Sequence, residues 1–438
     1  MKHFGTDGIR KPAADFTPDL IYQIIRGLAT YAGPDKKIFI SGDTRESTEW
    51  MLRDCEIACE TLGLDCAPAG VLPTPAINYC FYQMGYDFAI DITASHNPYT
   101  DNGIKIFERD DRSGQKLSPA GCEKIEATIE NPIPYTPVAP TDRENLHYDA
   151  LELYAKHLRD YLGPADFTGL HIGLDCANGA TSVINSQIFE ALGATVHLIN
   201  ADHSYGTKIN HNCGSTHLEE LTALVKKEHL DFGVAYDGDG DRCLMIDESG
   251  AEIDGDQIIA ILANYLHLDA IAVTVMANQG LLNWAATNNV KTVITPVGDS
   301  NVAAAMEEQG IKIGGEQSGH IILPGEPTGD GILTSLMLAK VIAETKTSLH
   351  TLASIYTKSP QVIVNLPANS EQKKSLASSD AAKSILTQFE EKVKGLNGRL
   401  LVRPSGTEPL IRITVWGDNE QQITALAEEL KTKLGETL

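Results

Sequence analysis

The chain has 438 residues, 42% apolar and 21% charged, and a net charge of −24. At about 100–200 residues per domain, three or four domains are expected. The acidic balance argues against a nucleic-acid partner, and no apolar run approaches the roughly 20 residues of a membrane span. The first seven residues carry no apolar stretch like that of a signal peptide, so the cytoplasm is the expected location. The eight cysteines form no CxxC pair and read as reduced structural thiols. If the ligand is anionic, positive charge must be gathered locally against this background.

Three similar stretches follow one another. In the first, a strand over 37–41 ends at Gly42-Asp43-Thr44-Arg45, a helix follows, and a strand over 87–92 leads into Thr93-Ala94-Ser95-His96-Asn97-Pro98. In the second, a strand over 171–174 ends at Asp175-Cys176-Ala177-Asn178-Gly179, and a strand over 230–235 leads into Asp237-Gly238-Asp239. In the third, a strand over 270–275 ends at Met276-Ala277-Asn278-Gln279-Gly280, and 311–313 leads into Gly314-Gly315-Glu316-Gln317-Ser318-Gly319-His320. Strands alternating with helices predict α/β units on largely parallel sheets. Ligands in such sheets sit beyond the carboxyl ends of the strands, so the three special loops are expected to face one cleft. The Pro-rich stretch 131–140, the turn 247–250 and 358–360 mark boundaries. They divide the chain into 1–145, 146–247, 248–358 and a smaller α+β unit, 359–438. That last unit holds strands over 361–366, 399–402 and 410–416, a helix near 379–393 and a final helix with Ile423, Leu426, Leu430 and Leu434 at helical spacing.

The loops carry the chemistry. Ser95 beside His96 suggests a hydrolase dyad, but no GxSxG elbow surrounds it, and Ser, Asn and Pro also form plain turns. Lys105, ten residues on and just past a Gly, could return to the same site as proton acceptor or phosphate partner. Asp237, Asp239 and Asp241, with glycines between the first and last, can turn inward around one hard cation. A calcium EF-hand loop is the rival, with Glu248 at position twelve. It fails at position six, where Arg242 replaces the required Gly. Residues 314–320 suit sugar hydroxyls, although a Gly-rich turn fits nearly as well. Residues 403–412, Arg-Pro-Ser-Gly-Thr-Glu-Pro-Leu-Ile-Arg, suit a phosphate without being a P-loop. Arg10, Arg45, Lys105 and Arg242 are further candidates for the local positive charge.

Five signatures in order, at 4–10, 93–98, 237–242, 315–320 and 403–412, resemble those of the α-D-phosphohexomutases. Gln317, where relatives on glucose or mannose phosphates tend to carry Met, and the segment 212–217 point to the glucosamine-phosphate branch. The resemblance implies three tandem mixed α/β sheet domains and a mobile C-terminal α+β domain around a central cleft. It implies a phosphoryl group on Ser95, and one Mg²⁺ held by Ser95, Asp237, Asp239 and Asp241. Glu316, Ser318 and His320 would bind the sugar, and Arg403, Ser405, Gly406, Thr407 and Arg412 the phosphate that is not transferred. Arg10 and Arg242 would stabilise the transferred group. Lys105, its pKa depressed near metal and Arg, would be the general base, with His96 or His320 second. The implied reaction interconverts glucosamine 6-phosphate and glucosamine 1-phosphate through a 1,6-bisphosphate, with that bisphosphate or a kinase-type phosphorylation priming Ser95. A homodimer is the expected assembly. Alternatives are the same chemistry on glucose or mannose phosphates, and a non-catalytic phosphosugar-binding protein. Two positions depart from the family pattern: Lys11 stands where Gly is usual, and Ser300 where many glucosamine-branch relatives have Arg.

Overall fold

Lys105 lies directly opposite Asp91 in the first of four sheets, and the strand order explains how it returns to the Ser95 loop. The computed structural model describes residues 2–5, 7–141, 143–405 and 409–438. The first sheet runs Phe4–Gly5, Gly8–Pro12, Asp101–Arg109, Phe88–Ile92, Lys37–Gly42 and Asp65–Val71, with Gly114–Lys116 paired beside Asp101–Arg109. The last three strands in that order are parallel, and the rest pair antiparallel. All five residues of Phe88–Ile92 are buried, as a strand covered by helices on both faces requires. One covering helix, Pro18–Ala32, starts where the Thr17 side chain accepts the Leu20 N–H, and buries Ile21, Ile24, Ile25 and Leu28 along one face.

The second sheet orders Glu252–Ile253, Cys243–Asp247, Phe232–Tyr236, His171–Asp175 and Thr195–Ile199. The turn 247–250, expected as a boundary, closes the hairpin between its first two strands. The Asp247 carboxylate accepts the N–H groups of Ser249 and Ala251 and the Ser249 hydroxyl, which makes it a local turn within the sheet. The third sheet orders Lys291–Thr295, Ala270–Thr274, Gly314–Gly315 and Ile321–Ile322. Its third strand lies one residue past the expected 311–313. The backbones come close there: a Cβ on Gly314 would sit 2.7 Å from the Ala272 carbonyl oxygen. The fourth sheet, Gln361–Pro367, Leu410–Trp416 and Arg399–Pro404, is antiparallel. Ahead of Asp380–Lys394 lies an additional helix, Ser370–Ser378, begun by an Asn369–Gln372 capping box.

One apolar core runs through the first three sheets, joining Phe39 and Phe81 to Tyr154, Phe232, Ile259 and Leu336. The fourth sheet has its own core around Phe389, Ile413 and Leu430. Where the first three units meet, the Tyr154 hydroxyl donates to Asp330 at 2.7 Å, and His157 stacks on Tyr79 at 3.9 Å. Among the described residues no helix is long and apolar enough to cross a membrane. Tyr154→Phe leaves the buried Asp330 carboxyl short of a donor. The variant should lose about 1–3 kcal/mol of unfolding free energy, read from urea denaturation; unchanged stability would mean the carboxyl finds another partner.

Candidate active site

Ser95 follows Phe88–Ile92 on a tight turn, with φ +53° and no exposed surface. That left-handed conformation is held from behind. The Arg45 guanidinium donates to the carbonyls of Ser95 (2.8 Å), Asn97 (2.9 Å), Pro98 (2.5 Å) and Asp101 (3.0 Å), and its Nε donates to Asp43 at 2.8 Å. These contacts use all five donors of the side chain. Asp43 also accepts the hydroxyls of Thr48 and Thr93, and Thr93 Oγ1 accepts the Ser95 N–H at 2.9 Å. From the second sheet unit, Asn210 Nδ2 donates to the Ser95 and Asn97 carbonyls at 2.8 and 3.0 Å. With the carbonyls turned inward, Ser95 Oγ points out and donates to Asp237 Oδ2 at 2.6 Å.

Asp237, Asp239 and Asp241 follow Phe232–Tyr236, and their oxygens lie within 4.8 Å of one another. Gly238 permits the approach, since a Cβ there would stand 2.6 Å from the Ser95 carbonyl oxygen. Lys105 Nζ donates to Asp239 Oδ2 at 2.6 Å and Asp241 Oδ2 at 3.3 Å. The other oxygens of these two residues, Asp239 Oδ1 and Asp241 Oδ1, are buried without a hydrogen-bond partner. Two orphaned carboxylate oxygens in an all-oxygen cluster fit a hard divalent cation. Burial, then Asp239 and Asp241, push the Asp237 carboxyl well above the usual range. Burial also opposes charge on Asp239, but the Lys105 ammonium overrides it and holds that carboxyl far down.

Lys105 corrects an expectation. Burial works against its charge, yet Asp239, Asp7 and Asp241 outweigh burial and raise its pKa well above the ordinary lysine value. The imidazole of His96 behaves oppositely: burial, then Arg242 and Arg10, lower it to about 4. His96 Nδ1 sits 3.4 Å from Ser95 Oγ and 3.1 Å from an Arg242 nitrogen.

The third loop contributes Glu316, whose Oε1 accepts the Gly298 N–H at 3.2 Å, and the exposed Ser318. Gln317 donates to Asp254 at 3.2 Å, bracing the loop on the residue that caps the helix Gly255–Tyr265. His320 is buried, with Nε2 accepting the Gly329 N–H at 3.3 Å. In the fourth sheet Arg403 and Arg412 are directly opposite each other. Burial, then the neighbouring Arg412, lower the Arg403 pKa. Lys373 donates to the Ser405 carbonyl at 2.7 Å. The expected partners Gly406 and Thr407 lie outside the described residues.

The chain matches phosphoglucomutase/phosphomannomutase, alpha/beta/alpha domains I, II and III, over 1–135, 152–250 and 254–359, and the C-terminal domain over 363–433. It is 42% identical over 444 residues to the phosphoglucosamine mutase of Caldicellulosiruptor bescii, covering 98% of each chain. The chain belongs to the phosphoglucomutase/phosphomannomutase family. The phosphoglucosamine mutase of Clostridioides difficile is 39% identical, covering all of this chain and 99% of its own. In fold the chain is similar to a Burkholderia thailandensis family protein (TM-score 0.80, 20% identity, 98% and 97% of the two chains covered). It is also similar to an Aspergillus fumigatus N-acetylphosphoglucosamine mutase solved with GlcNAc-6P and magnesium (TM-score 0.67, 16% identity, 99% and 95% covered).

Arg45 offers no free donor to a ligand; it is the support of the Ser95 loop. Lys11 continues the strand Gly8–Pro12 opposite Asn102, so the Gly-to-Lys departure leaves ordinary strand backbone. Ser300 is near the start of helix Asp299–Gln309, and the cation beside it is Lys116. That residue bridges Asp299 to Asp7, which also pairs with Arg10 and, at 3.4 Å, Lys105. Glu248 lies beyond the strand Cys243–Asp247 and accepts the His350 N–H, which removes the EF-hand reading. Sequence reasoning missed Asp7, Asp43, Lys116 and Asn210 as site builders. The turn Gly42-Asp43-Thr44-Arg45 was visible, but nothing in it told which loop it would hold.

Arg45→Met removes one partner of a buried pair and the guanidinium's donors to four carbonyls. The expected loss is about 3–5 kcal/mol in denaturant unfolding, and a loss under about 1 kcal/mol would show that water replaces the guanidinium. His96, at about 4 in the fold against an ordinary 6.5, binds its proton first in the unfolded chain. Its contribution to stability is therefore complete above pH 6.5 and falls as the pH drops toward 4. His96→Asn should flatten the stability profile in that window; an unchanged slope would place its origin elsewhere.

Proposed function

We propose that the chain is a phosphoglucosamine mutase, interconverting glucosamine 6-phosphate and glucosamine 1-phosphate. The observation that carries the reading is Ser95 Oγ, 2.6 Å from Asp237 in a buried carboxylate cluster with two orphaned oxygens. The choice of sugar is supported by relatives about 40% identical over nearly the whole chain that bear this name.

In this reading Ser95 carries a phosphoryl group. A sugar hydroxyl oxygen attacks its phosphorus, the bond to Ser95 Oγ breaks, and the hydroxyl proton moves to a base. The resulting 1,6-bisphosphate turns in the cleft, and Ser95 Oγ takes back the phosphoryl group from the other end. Lys105, held as an ammonium, has no lone pair for the proton; it neutralises charge with Arg10 and Arg242. The neutral imidazole of His96 is the nearer acceptor. Asp237, Asp239 and Asp241, with Ser95, would hold a Mg²⁺ ion that offsets charge on the phosphoryl oxygens when bound. Glu316, Ser318 and His320 face the sugar. Arg403, Ser405 and Arg412, with Gly406 and Thr407, take the phosphate that stays.

Turnover on glucosamine, glucose and mannose phosphates, compared under one set of conditions, tests the sugar. The glucosamine ester should be fastest, and a clear preference for either other sugar would make the chain a phosphoglucomutase/phosphomannomutase. In the same assay Ser95→Ala should abolish turnover, and near-normal rates with bisphosphate present would remove the phosphoserine route. Tight binding without isomerisation, in protein whose mass shows phosphate on Ser95, would mark a binding protein instead.

A further inference from the structure

The cation cluster belongs to the second sheet unit, but its carboxylates are gripped from the first, Asp239 most of all. Thr74 opens the helix Thr74–Gln83. Its backbone N–H donates to the Asp239 carbonyl at 2.9 Å, and its Oγ1 lies 3.0 Å from Asp239 Oδ2. The same hydroxyl lies 2.7 Å from Asp91 Oδ2. Thr74, Asp91 and Asp239 are all buried, at 2%, 1% and 1% exposure. Oδ2 of Asp239 is thus engaged twice, by Thr74 Oγ1 and by Lys105 Nζ. Its Oδ1 has no partner.

We propose that Thr74 is a positioning residue for the metal: it ties down Asp239 Oδ2 and so aims Oδ1 at the cation. A carboxylate free to rotate about its last bond would present either oxygen, and part of the affinity would go into fixing it. The backbone bond from the same residue sets the height of the loop, so one residue fixes both the position of Asp239 and its rotation. Asp91 keeps the hydroxyl in place from the far side. The Thr74 hydroxyl donates towards Asp91 Oδ2 as well as Asp239 Oδ2, so it is held between the two buried carboxylates. Because Thr74 comes from the first sheet unit and Asp239 from the second, the grip also sets the distance between the Ser95 loop and the cation cluster.

This rests on reading the three aspartates as a metal site, and the test separates the two claims. Mn²⁺ is titrated into chelator-treated protein and the free ion is followed by electron paramagnetic resonance, with no substrate present. Thr74→Val keeps the side-chain shape and removes the hydroxyl; it should weaken Mn²⁺ binding about 10-fold, the scale of losing a partner behind a metal ligand. Thr74→Ser keeps the hydroxyl and should bind within about 2-fold of the parent. If Thr74→Val does not fold, Thr74→Ala takes its place with the same expectation. Parent-like Mn²⁺ affinity in the hydroxyl-free variant overturns the role of Thr74 and leaves the metal site standing. So does equal weakening in Thr74→Ser, which would assign the effect to the methyl group. A parent chain that binds no Mn²⁺ overturns both.

Discussion

The backbone of the Ser95 turn depends on one buried guanidinium. A left-handed serine between Ala and His has little reason to persist by itself, since an L side chain in that region is disfavoured. Arg45 makes it persist by collecting the carbonyls of four residues around one cation, and Asp43 holds the cation in place. Once the carbonyls point inward, the hydroxyl must point outward. Asn210 adds a hold on the same carbonyls from the second sheet unit, so the turn is also a joint between units. The hydroxyl therefore meets the Asp237 cluster as a consequence of how the loop is hung, rather than through attraction between the two side chains.

The charge distribution follows the same logic. A chain with a net charge of −24 concentrates cations where they are enclosed by carboxylates. Asp7 gathers Arg10, Lys105 and Lys116, and Lys116 reaches across to Asp299 in the third sheet unit. Such a lattice fixes ammonium groups at their full charge in a poorly solvated cleft, where each is worth more than it would be in water. It also ties the first and third units together across the site.

Much of this was legible in the sequence, and the limits are instructive. Buried parallel strands announce themselves as short apolar runs, so the strands before Ser95 and Asp237 were found within a residue or two. The strand Asp101–Arg109 was not, because Asp101-Asn102-Gly103 reads as a turn; only its pairing with Phe88–Ile92 makes it a strand and brings Lys105 home. The glycines at 314–315 looked like a loop because a strand without side chains has no alternation to detect. Candidate ligands were visible because they cluster in sequence. Their supports were not, because Arg45, Asn210 and Asp7 act on partners tens to hundreds of residues away. The charge state of Lys105 failed for the same reason: its neighbourhood was imagined as cationic, and folding delivered three carboxylates.

The separation of the fourth unit's apolar core from the one shared by the first three sheets has a mechanical meaning. The first three sheet units share one core, so shifting them against each other would expose greasy surface at about 25 cal/mol per Å². The fourth unit keeps its core to itself. Its described ties to the third are polar: Asn278 to Ser359, Arg399 to the Ala277 carbonyl, and Gln317 to Gln361. Water can replace each of these at little net cost. The fourth unit is thus joined to a stiff three-part body through polar contacts and keeps its apolar packing to itself.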